Sequence, residues 1–157
     1  MEKKKRVVAV SGGFDPVHIG HVRMFQKARN LGDELVVIIN NDNWLRAKKG
    51  YVFSPEEERV ELIQHFPFVD RVVLTRHPEE ATDRSVCDAL EELRPDVFAN
   101  GGDRFADNVP ELALCERLGI EMAFNIGGNK IQSSSDMVKK AYSAITVKES
   151  REKEGEE

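Results

Sequence analysis

Two histidines and three glycines fall within ten residues near the start of the chain: Gly12, Gly13, His18, Gly20 and His21. The segment before them is rich in β-branched residues and predicts a buried strand, and the segment after them has the apolar spacing of a helix. A glycine-bearing turn between a strand and a helix directs backbone N–H groups and the positive end of the helix dipole at one point. This arrangement predicts a phosphate-binding site.

The spacing differs from that of two common phosphate loops, because neither G-x-G-x-x-G nor G-x-x-x-x-G-K-[ST] is present. The turn instead supplies His-x-Gly-His. Gly20 lacks a Cβ, so a triphosphate can lie close to the backbone, while His18 and His21 project to one side of it. Donors at a rigid helix start can follow the charge that builds up when an α-phosphorus is attacked and pyrophosphate leaves. Zinc is the alternative, but it needs further ligands, and Cys87 and Cys115 lie far away in helical patterns.

The composition predicts a single globular domain. A chain of 157 residues can bury a substantial core, and its contents of 40% hydrophobic and 32% charged residues are ordinary for this class. The net charge of −5 argues against a general nucleic-acid partner. No segment has the apolar length of a membrane span or of a secretion signal, so no membrane partner is expected. Two cysteines without motif spacing indicate a reducing compartment, and the cytoplasm is the expected location.

Strands and helices alternate along the whole chain. Strands are predicted over residues 6–11, 34–39, 69–75, 96–99 and 120–124, with helices over 24–31, from Ser54 to Phe66, and over 82–93, 110–118 and 133–145. Ser54, Pro55 and Glu57 predict a capping box, whereas a loop is expected just before them, over residues 44–53. This alternation predicts an α/β, single-domain, doubly wound and mostly parallel five-stranded sheet. The domain is expected over residues 1–147, with a charged, disordered or frayed tail over 148–157.

Four polar loops each follow a predicted strand, at residues 12–21, 40–49, 100–104 and 125–135. The carboxyl ends of parallel strands meet at one edge of a sheet, where ligands bind near a topological switch point. The four loops are therefore expected to form one site.

Gly-Phe-Asp at residues 13–15, followed by His-Ile-Gly-His at 18–21, resembles the motif of the cytidylyltransferase-like nucleotidyltransferases. The resemblance extends from about Val7 to about Val138 and implies a Rossmann-like fold. It implies catalytic roles for the two histidines. It also implies nucleotide contacts from the surrounding turn, namely Gly12, Gly13, Phe14, Asp15 and Gly20.

Later positions match further parts of the family pattern. Catalytic roles are implied for two lysines in the loop after the second strand and for an arginine on the next helix, namely Lys48, Lys49 and Arg59. Nucleotide contacts are implied at Asp42, Gly101, Gly102, Asp103, Ser133, Ser134 and Ser135. The serine triplet stands where the family has Ser-Thr-Thr, whose hydroxyls and helix N-terminus hold the β and γ phosphates. For Arg59 the residues alone leave two alternatives, a stem packed on the apolar face or a guanidinium aimed at an anion.

The chain departs from the family pattern just before the serine triplet. The family's arginine is absent, and Lys130 offers a point charge without the bidentate fork. Asp136 complements the helix dipole but would repel a nearby phosphate unless it turns away or a metal bridges the two.

The resemblance implies a reaction in which an acceptor phosphate oxygen attacks the α-phosphorus of CTP or ATP and pyrophosphate departs. Mg²⁺ is expected with the triphosphate, with its protein ligands unknown. The acceptor is expected to be a small sugar or polyol phosphate, because the chain looks closest to heptose 1-phosphate adenylyltransferases and glycerol-3-phosphate cytidylyltransferases. Homo-oligomerisation stays open.

Two other functions are weighed against this one. An aminoacyl-tRNA synthetase remnant would share His-Ile-Gly-His, but the Lys-Met-Ser-Lys-Ser loop and basic tRNA-binding modules are absent from the sequence. A catalytically silent nucleotide-binding module is the second alternative, and the missing arginine keeps it open.

Overall fold

The computed structural model describes residues 3–102 and 109–156. Within these residues five strands and six helices follow one another as β1 (Val7–Gly12), α1 (Ile19–Arg29), β2 (Glu34–Ile39), α2 (Asp42–Lys49), α3 (Glu56–Gln64), β3 (Arg71–Leu74), α4 (Cys87–Leu93), β4 (Val97–Ala99), α5 (Leu112–Leu118), β5 (Glu121–Ala123) and α6 (Ser134–Gly155). The strands form one parallel sheet in the order β3-β2-β1-β4-β5. The predicted α/β fold class is confirmed.

Apolar layers cover both faces of the sheet. On one face Val8 packs with Phe25 of α1, and on the other Ala9 packs with Leu90 of α4 and Cys115 of α5. Successive residues of a strand point to opposite faces, so neighbours on β1 belong to different layers. The crossovers from the central strand therefore run to both sides, and the switch point lies between β1 and β4.

The segment after β2 begins with a helix, where a loop was predicted. The Asn41 side chain caps α2 by accepting a hydrogen bond from the Trp44 N–H at 3.0 Å, and Gly50 ends it with a φ of 83°. Both cap types are common at helix ends. Only Trp44 and Leu45 are buried in α2, so its apolar residues do not repeat at helical spacing. The loop prediction is wrong for this helix because the caps, rather than periodicity, define it.

The start of α3 differs from the predicted capping box. Pro55 is the N-cap residue and no side chain caps the helix. The Ser54 N–H, which a capping box would pair with the Glu57 side chain, donates to Oδ1 of Asp15 at 2.6 Å. A tertiary contact has therefore replaced a local one. Within α3, Leu62 is 51% exposed, whereas Ile63 is fully buried.

Two later helices differ in length from the prediction. Because α4 begins at Cys87, the stretch 82–86 that was expected to be helical is a loop. In the opposite sense, α6 continues to Gly155, so the charged residues from Lys148 onward extend a helix. Lys148 and Glu152 support it with an i, i+4 ion pair at 3.7 Å, and lysine, glutamate and arginine are good helix formers. Across the described parts of the chain, no helix combines the length and apolar character that a bilayer span requires.

Candidate active site

The carboxyl edge of the sheet gathers the loops that the sequence singled out. The loops after β1 and β4 lie side by side, because these strands are hydrogen-bonded neighbours at the switch point. The loops after β2 and β5 flank them. Most predicted site residues are thus brought to one edge, while Asp103 lies outside the described residues.

The two histidines form the start of α1 by capping it reciprocally. Nδ1 of His18 accepts a hydrogen bond from the Gly20 N–H at 3.1 Å, and Nδ1 of His21 accepts one from the His18 N–H at 3.2 Å. A neutral imidazole carries its proton on the nitrogen that is not accepting. Both rings therefore hold an N–H at Nε2, so each offers a hydrogen-bond donor at the tip of its ring.

Both imidazoles are held in the neutral form. Burial lowers the pKa of His21 to about 3, helped by its electrostatic interactions with His18, Lys49 and Lys130. Burial also lowers the pKa of His18, followed by the charges of Lys130 and Lys49. The rings stack with centroids 3.7 Å apart, and the edge of Phe14 contacts His21 at 4.9 Å between centroids. At neutral pH the pair supplies directed N–H donors, and the positive charge comes from lysines.

Gly20 leaves the space that the first imidazole occupies. A Cβ at this position would lie 2.9 Å from Cε1 of His18 and 3.0 Å from Nδ1, the atom that caps the helix. Any side chain at residue 20 would displace the ring. The glycine of His-x-Gly-His is therefore required by the packing of the histidine itself.

Two cavities meet at the histidine pair. The smaller, here called the glycine cavity, has a volume of about 210 Å³ and is lined by residues that include Gly20, Arg23, Gly101, Gly102, Gly127 and Gly128. The larger, here called the lysine cavity, has a volume of about 850 Å³ and is lined by residues that include Lys48, Lys49, Arg84 and the serine triplet. The residues that line both are Ser11, Gly12, Phe14, His18, His21 and Lys130. Molecules in the two cavities would thus face each other across the two imidazoles.

The two lysines at the end of α2 have different surroundings. Nζ of Lys48 lies 4.7 Å from the centroid of the Trp44 ring, in a cation–π contact, and the residue is exposed. Lys49 is half-buried, and burial lowers the pKa of its ammonium group. The negative charge of Asp15 acts in the opposite direction, while Lys48, Lys130 and Arg59 add to the lowering. Lys49 is the lysine of this pair whose charge reaches both histidines.

Three predicted site residues lie beneath the loops, where they bind protein atoms. Asp15 is fully buried and accepts the N–H groups of Phe53 and Ser54, both at 2.6 Å. Arg59 is 2% exposed and donates to the carbonyl oxygens of Gly13, Asn40 and Ser54 and to the carboxylate of Asp42, over distances of 2.6–2.9 Å. Arg59, Asp15 and Asp42 are brought together, but none of them is among the residues that line the glycine or lysine cavity.

The carboxylates nearest the site do not fit a magnesium ion. Asp15 and Asp42 are already bound by backbone N–H groups and by Arg59, and in the described residues no group of three histidine, cysteine, aspartate or glutamate side chains is arranged to hold a metal.

Burial raises the pKa of the Cys115 thiol to about 11 and also raises that of Cys87. Both thiols are protonated at neutral pH, which makes them poor metal ligands and nucleophiles.

The loops after β4 and β5 touch each other over the glycine cavity. A Cβ on Gly102 would lie 2.1 Å from the carbonyl oxygen of Gly128, so only glycine permits this approach. The Ile126 N–H donates to the Asn100 carbonyl at 2.9 Å, which joins the same two loops. The predicted positions Gly101 and Gly102 therefore form one wall of the cavity with the Gly127–Gly128 turn.

The three serines of the triplet all line the lysine cavity, but their hydroxyls differ. Ser133 caps α6 by accepting the Asp136 N–H at 3.3 Å, and the Ser134 hydroxyl donates to the Pro16 carbonyl at 2.7 Å. Among the described residues, the Ser135 hydroxyl has no such partner, and Ser135 lines the same cavity. The triplet therefore combines a helix cap, a tie to the histidine loop and a hydroxyl open to a ligand.

Sequence reasoning missed one wall of the lysine cavity. The loop 82–86, expected within a helix, contributes Asp83, Arg84 and Ser85 to the lining. Its backbone is fixed by Trp44, whose indole N–H donates to the Arg84 carbonyl at 2.9 Å, and by His77, whose Nε2 lies 2.8 Å from the Ser85 carbonyl. The polar run Thr-Asp-Arg-Ser after the third strand was the available signal.

Comparison with known proteins identifies the family. The model of the cytidylyltransferase-like family matches residues 9–151, which is most of the chain. The chain belongs to the cytidylyltransferase-like family. The predicted family membership is thereby confirmed.

Three curated relatives illustrate the similarity. The bifunctional protein HldE of Streptomyces coelicolor is 40% identical over 115 residues, which cover 72% of this chain and 24% of that protein. HldE of Geobacter sulfurreducens is 34% identical over 88% of this chain and 28% of its own length. FAD synthase of Pyrococcus horikoshii is 38% identical over 68% of each chain. The chain spans about a quarter of the length of the HldE proteins and about two thirds of the FAD synthase.

A solved structure has the same arrangement. The crystal structure of the lipopolysaccharide core biosynthesis protein from Thermoplasma volcanium GSS1 superimposes with a TM-score of 0.61 at 28% identity, covering 77% of this chain and 94% of that one.

Proposed function

We propose that this chain transfers a nucleoside monophosphate from a nucleoside triphosphate to a small phosphorylated acceptor and releases pyrophosphate. One observation carries the proposal. Two cavities of about 210 and 850 Å³ meet at a pair of neutral imidazoles whose Nε2–H donors are fixed by backbone hydrogen bonds to Nδ1. A group-transfer enzyme needs such a junction, with one substrate on either side of fixed donors.

The chemistry needs no side-chain base. An oxygen of the acceptor phosphate forms a bond to the α-phosphorus, and the bond from that phosphorus to the bridging oxygen of the departing pyrophosphate breaks in line with it. His18 and His21 donate hydrogen bonds to the oxygens on which negative charge grows. Lys49 and Lys130 provide positive charge at the same junction. The triphosphate is expected to arrive as its magnesium salt, so the metal is part of the substrate.

We propose ATP as the donor. The FAD synthase relatives are named for a product that contains an adenylyl group. The glycine cavity, lined by backbone of the Gly101–Gly102 and Gly127–Gly128 segments, is the proposed site of the nucleoside. Backbone N–H and C=O groups can bind the edge of a base without any dedicated side chain.

We propose a sugar or polyol phosphate as the acceptor. The lining of the lysine cavity includes the polar residues Thr82, Asp83 and Ser85, whose hydroxyl and carboxylate groups can form hydrogen bonds with the hydroxyls of an acceptor. A flavin would need an apolar slot. Trp44 does not offer one, because it is 7% exposed and its indole N–H already binds the Arg84 carbonyl.

The decisive experiment measures pyrophosphate release from ATP and from CTP with a panel of acceptors. The panel contains hexose and heptose 1-phosphates, glycerol 3-phosphate and FMN, each beside its unphosphorylated parent as the matched control. We expect ATP-dependent release with a sugar or polyol phosphate and none with the parent alcohol. If pyrophosphate is released only with FMN, the acceptor is a flavin and not a sugar or polyol phosphate. If it is released only from CTP, the donor is CTP and not ATP. Nucleotide binding without release for any acceptor would indicate the catalytically silent module.

A further inference from the structure

Asp15 sits at the centre of the contacts that fix the segment following Lys49. Its two carboxylate oxygens accept the N–H groups of Phe53 and Ser54 at 2.6 Å, and the residue is completely buried. Only four residues separate Lys49 from Ser54, so the anchor is a short tether. A carboxylate that accepts two backbone N–H groups fixes them strongly, because both bonds are charge-assisted.

The other end of α2 is fixed by the same cluster. Arg59 binds the carboxylate of Asp42, the first residue of α2, at 2.7 Å, and it also binds the carbonyl oxygens of Gly13 and Asn40 at 2.8 and 2.6 Å. The helix that carries Lys49 is therefore tied to the β1 loop at both of its ends. These ties reach Lys49 only through the backbone, since no hydrogen bond joins Asp15 and Lys49 in the described residues.

We propose that Asp15 is a positioning residue for Lys49: by holding Phe53 and Ser54 it places the Lys49 ammonium at the histidine pair. This role differs from the nucleotide contact that the sequence implies for Asp15, because Asp15 lines neither cavity, and it rests on the proposed function. Arg59 acts alongside it by holding the start of α2.

Asp15 also acts on Lys49 through its negative charge. Lys49 faces the positive charges of Lys48, Lys130 and Arg59 and lies near His18 and His21, which are neutral. Burial and these cations lower the pKa of Lys49, and Asp15 is the carboxylate that opposes them. Without the negative charge of Asp15, Lys49 would lose its proton at a lower pH.

The test compares wild type with Asp15→Asn, which keeps the shape but removes the charge and one acceptor. Two readouts apply: the pH dependence of kcat/KM, and the pH dependence of Lys49 labelling by acetic anhydride followed by mass spectrometry. We expect both the alkaline limb of the rate profile and the midpoint of Lys49 labelling to move to lower pH by at least about half a unit. Asp96→Asn is the matched control, because Asp96 also accepts a backbone N–H, that of Val7 at 2.8 Å, at the opposite edge of the sheet. It should leave both midpoints in place.

A second variant tests the tether without touching any charge. Two glycines inserted between Gly50 and Tyr51 lengthen the connection from Lys49 to the Asp15 anchor. We expect kcat to fall at least about tenfold while KM for the triphosphate stays within about threefold, as for a lost preorganised charge. A wild-type kcat in the insertion variant, or unchanged midpoints in a folded Asp15→Asn variant, would overturn the proposal. The labelling readout does not require activity, so a wild-type chain without transferase activity would overturn the proposed function while the Lys49 midpoints still decide the role of Asp15.

Discussion

The imidazoles of His18 and His21 stack face to face, with centroids 3.7 Å apart and planes inclined by 23°. Each ring uses Nδ1 to accept a backbone N–H at the start of α1, so the caps fix the rings and the rings fix the helix start. Two positively charged rings would repel at this distance, and protonation of Nδ1 would break the caps. The arrangement therefore holds both rings neutral, and each ring keeps an Nε2–H donor at the junction of the cavities.

Two amide substitutions can separate the roles of the two His18 nitrogens, the helix cap at Nδ1 and the hydrogen-bond donor at Nε2. In His18→Asn the side-chain oxygen can take the place of Nδ1 and keep the bond from the Gly20 N–H, but no donor reaches the Nε2 position. We expect near wild-type stability and a loss in kcat of about 10²–10³-fold, as for an oxyanion-hole donor. His18→Gln should do the reverse, retaining more activity and losing about 1 kcal/mol of stability with the cap. Steady-state rates and urea unfolding of both variants check this, and equal effects of the two amides would contradict it.

Lys48 and Lys49 are expected to differ strongly, although the sequence does not rank them. The Lys48 ammonium lies over the Trp44 ring, and the charge of Lys49 acts on both histidines. Lys49→Ala should lower kcat by about 10²-fold or more through loss of a preorganised charge. Lys48→Ala should stay within a few-fold of wild type, with a small change in Trp44 fluorescence. The rates of the two alanine variants are the measurement, and the reverse ranking would remove Lys49 from the mechanism.

Much of this site can be predicted from the sequence, because regular alternation of strands and helices brings the loops that follow the strands to one edge of a parallel sheet. The motif glycines, the histidine pair, Lys49 and the serine triplet all reach one edge of a parallel sheet, as expected from chain order alone. What chain order cannot supply is the direction of a side chain. Asp15 lies inside the motif but binds backbone groups 38 and 39 positions away, and Arg59 turns into the same cluster.

Local signals misled where tertiary contacts prevailed. Ser54 is a residue type that commonly caps helices, yet its N–H donates to Asp15, and α3 begins without a side-chain cap. Trp44, the first residue of the segment that was expected to be a loop, lies in α2. It is buried against Gly13, because a Cβ there would lie 3.3 Å from the indole ring, and its N–H is bound. Composition does not encode such partners, since they come from elements distant in the chain.

Acid should destabilise the protein partly through His21. Its pKa is about 3 in the folded chain, against 6.5 in an unfolded one. Between these values only the unfolded chain binds the proton, so the free energy of unfolding falls as pH decreases below about 6.5 and is unaffected by this group above it. At pH 5 this effect of His21 lowers the free energy of unfolding by about 2 kcal/mol. In urea unfolding at pH 7 and pH 5, His21→Asn should therefore lose about 2 kcal/mol less than wild type. An identical loss in both proteins would contradict the low pKa.

Gly102→Ala is expected to open the glycine cavity. Its Cβ would lie 2.1 Å from the Gly128 carbonyl oxygen, so the loops after β4 and β5 must separate. We expect weaker binding of ATP and of adenosine alike, because the nucleoside is proposed to lie between these loops. Gly155→Ala, where no atom lies within 4 Å of the new Cβ, is the control and should bind as wild type. Calorimetric titration of both ligands is the measurement, and unchanged adenosine affinity in Gly102→Ala would place the nucleoside elsewhere.

The serine triplet allows a last prediction, because its three hydroxyls have different partners. Ser133 caps α6 and Ser134 ties it to the Pro16 carbonyl, so alanine at either position should cost about 1 kcal/mol of stability. Neither substitution should change the affinity for ATP relative to that for AMP.

Ser135 should behave differently from both, since it lines the lysine cavity beside the N-terminus of α6. A hydrogen bond to a charged phosphate is worth about 1.5–3 kcal/mol, so Ser135→Ala should weaken ATP binding by about 10–100-fold. Binding of AMP, which lacks the β and γ phosphates, should stay near wild type, and the melting temperature should hardly change. Calorimetric titration of both nucleotides beside a thermal melt separates these effects. Equal weakening of ATP and AMP in Ser135→Ala would remove the hydroxyl from the phosphate site and leave the triplet as a helix cap alone.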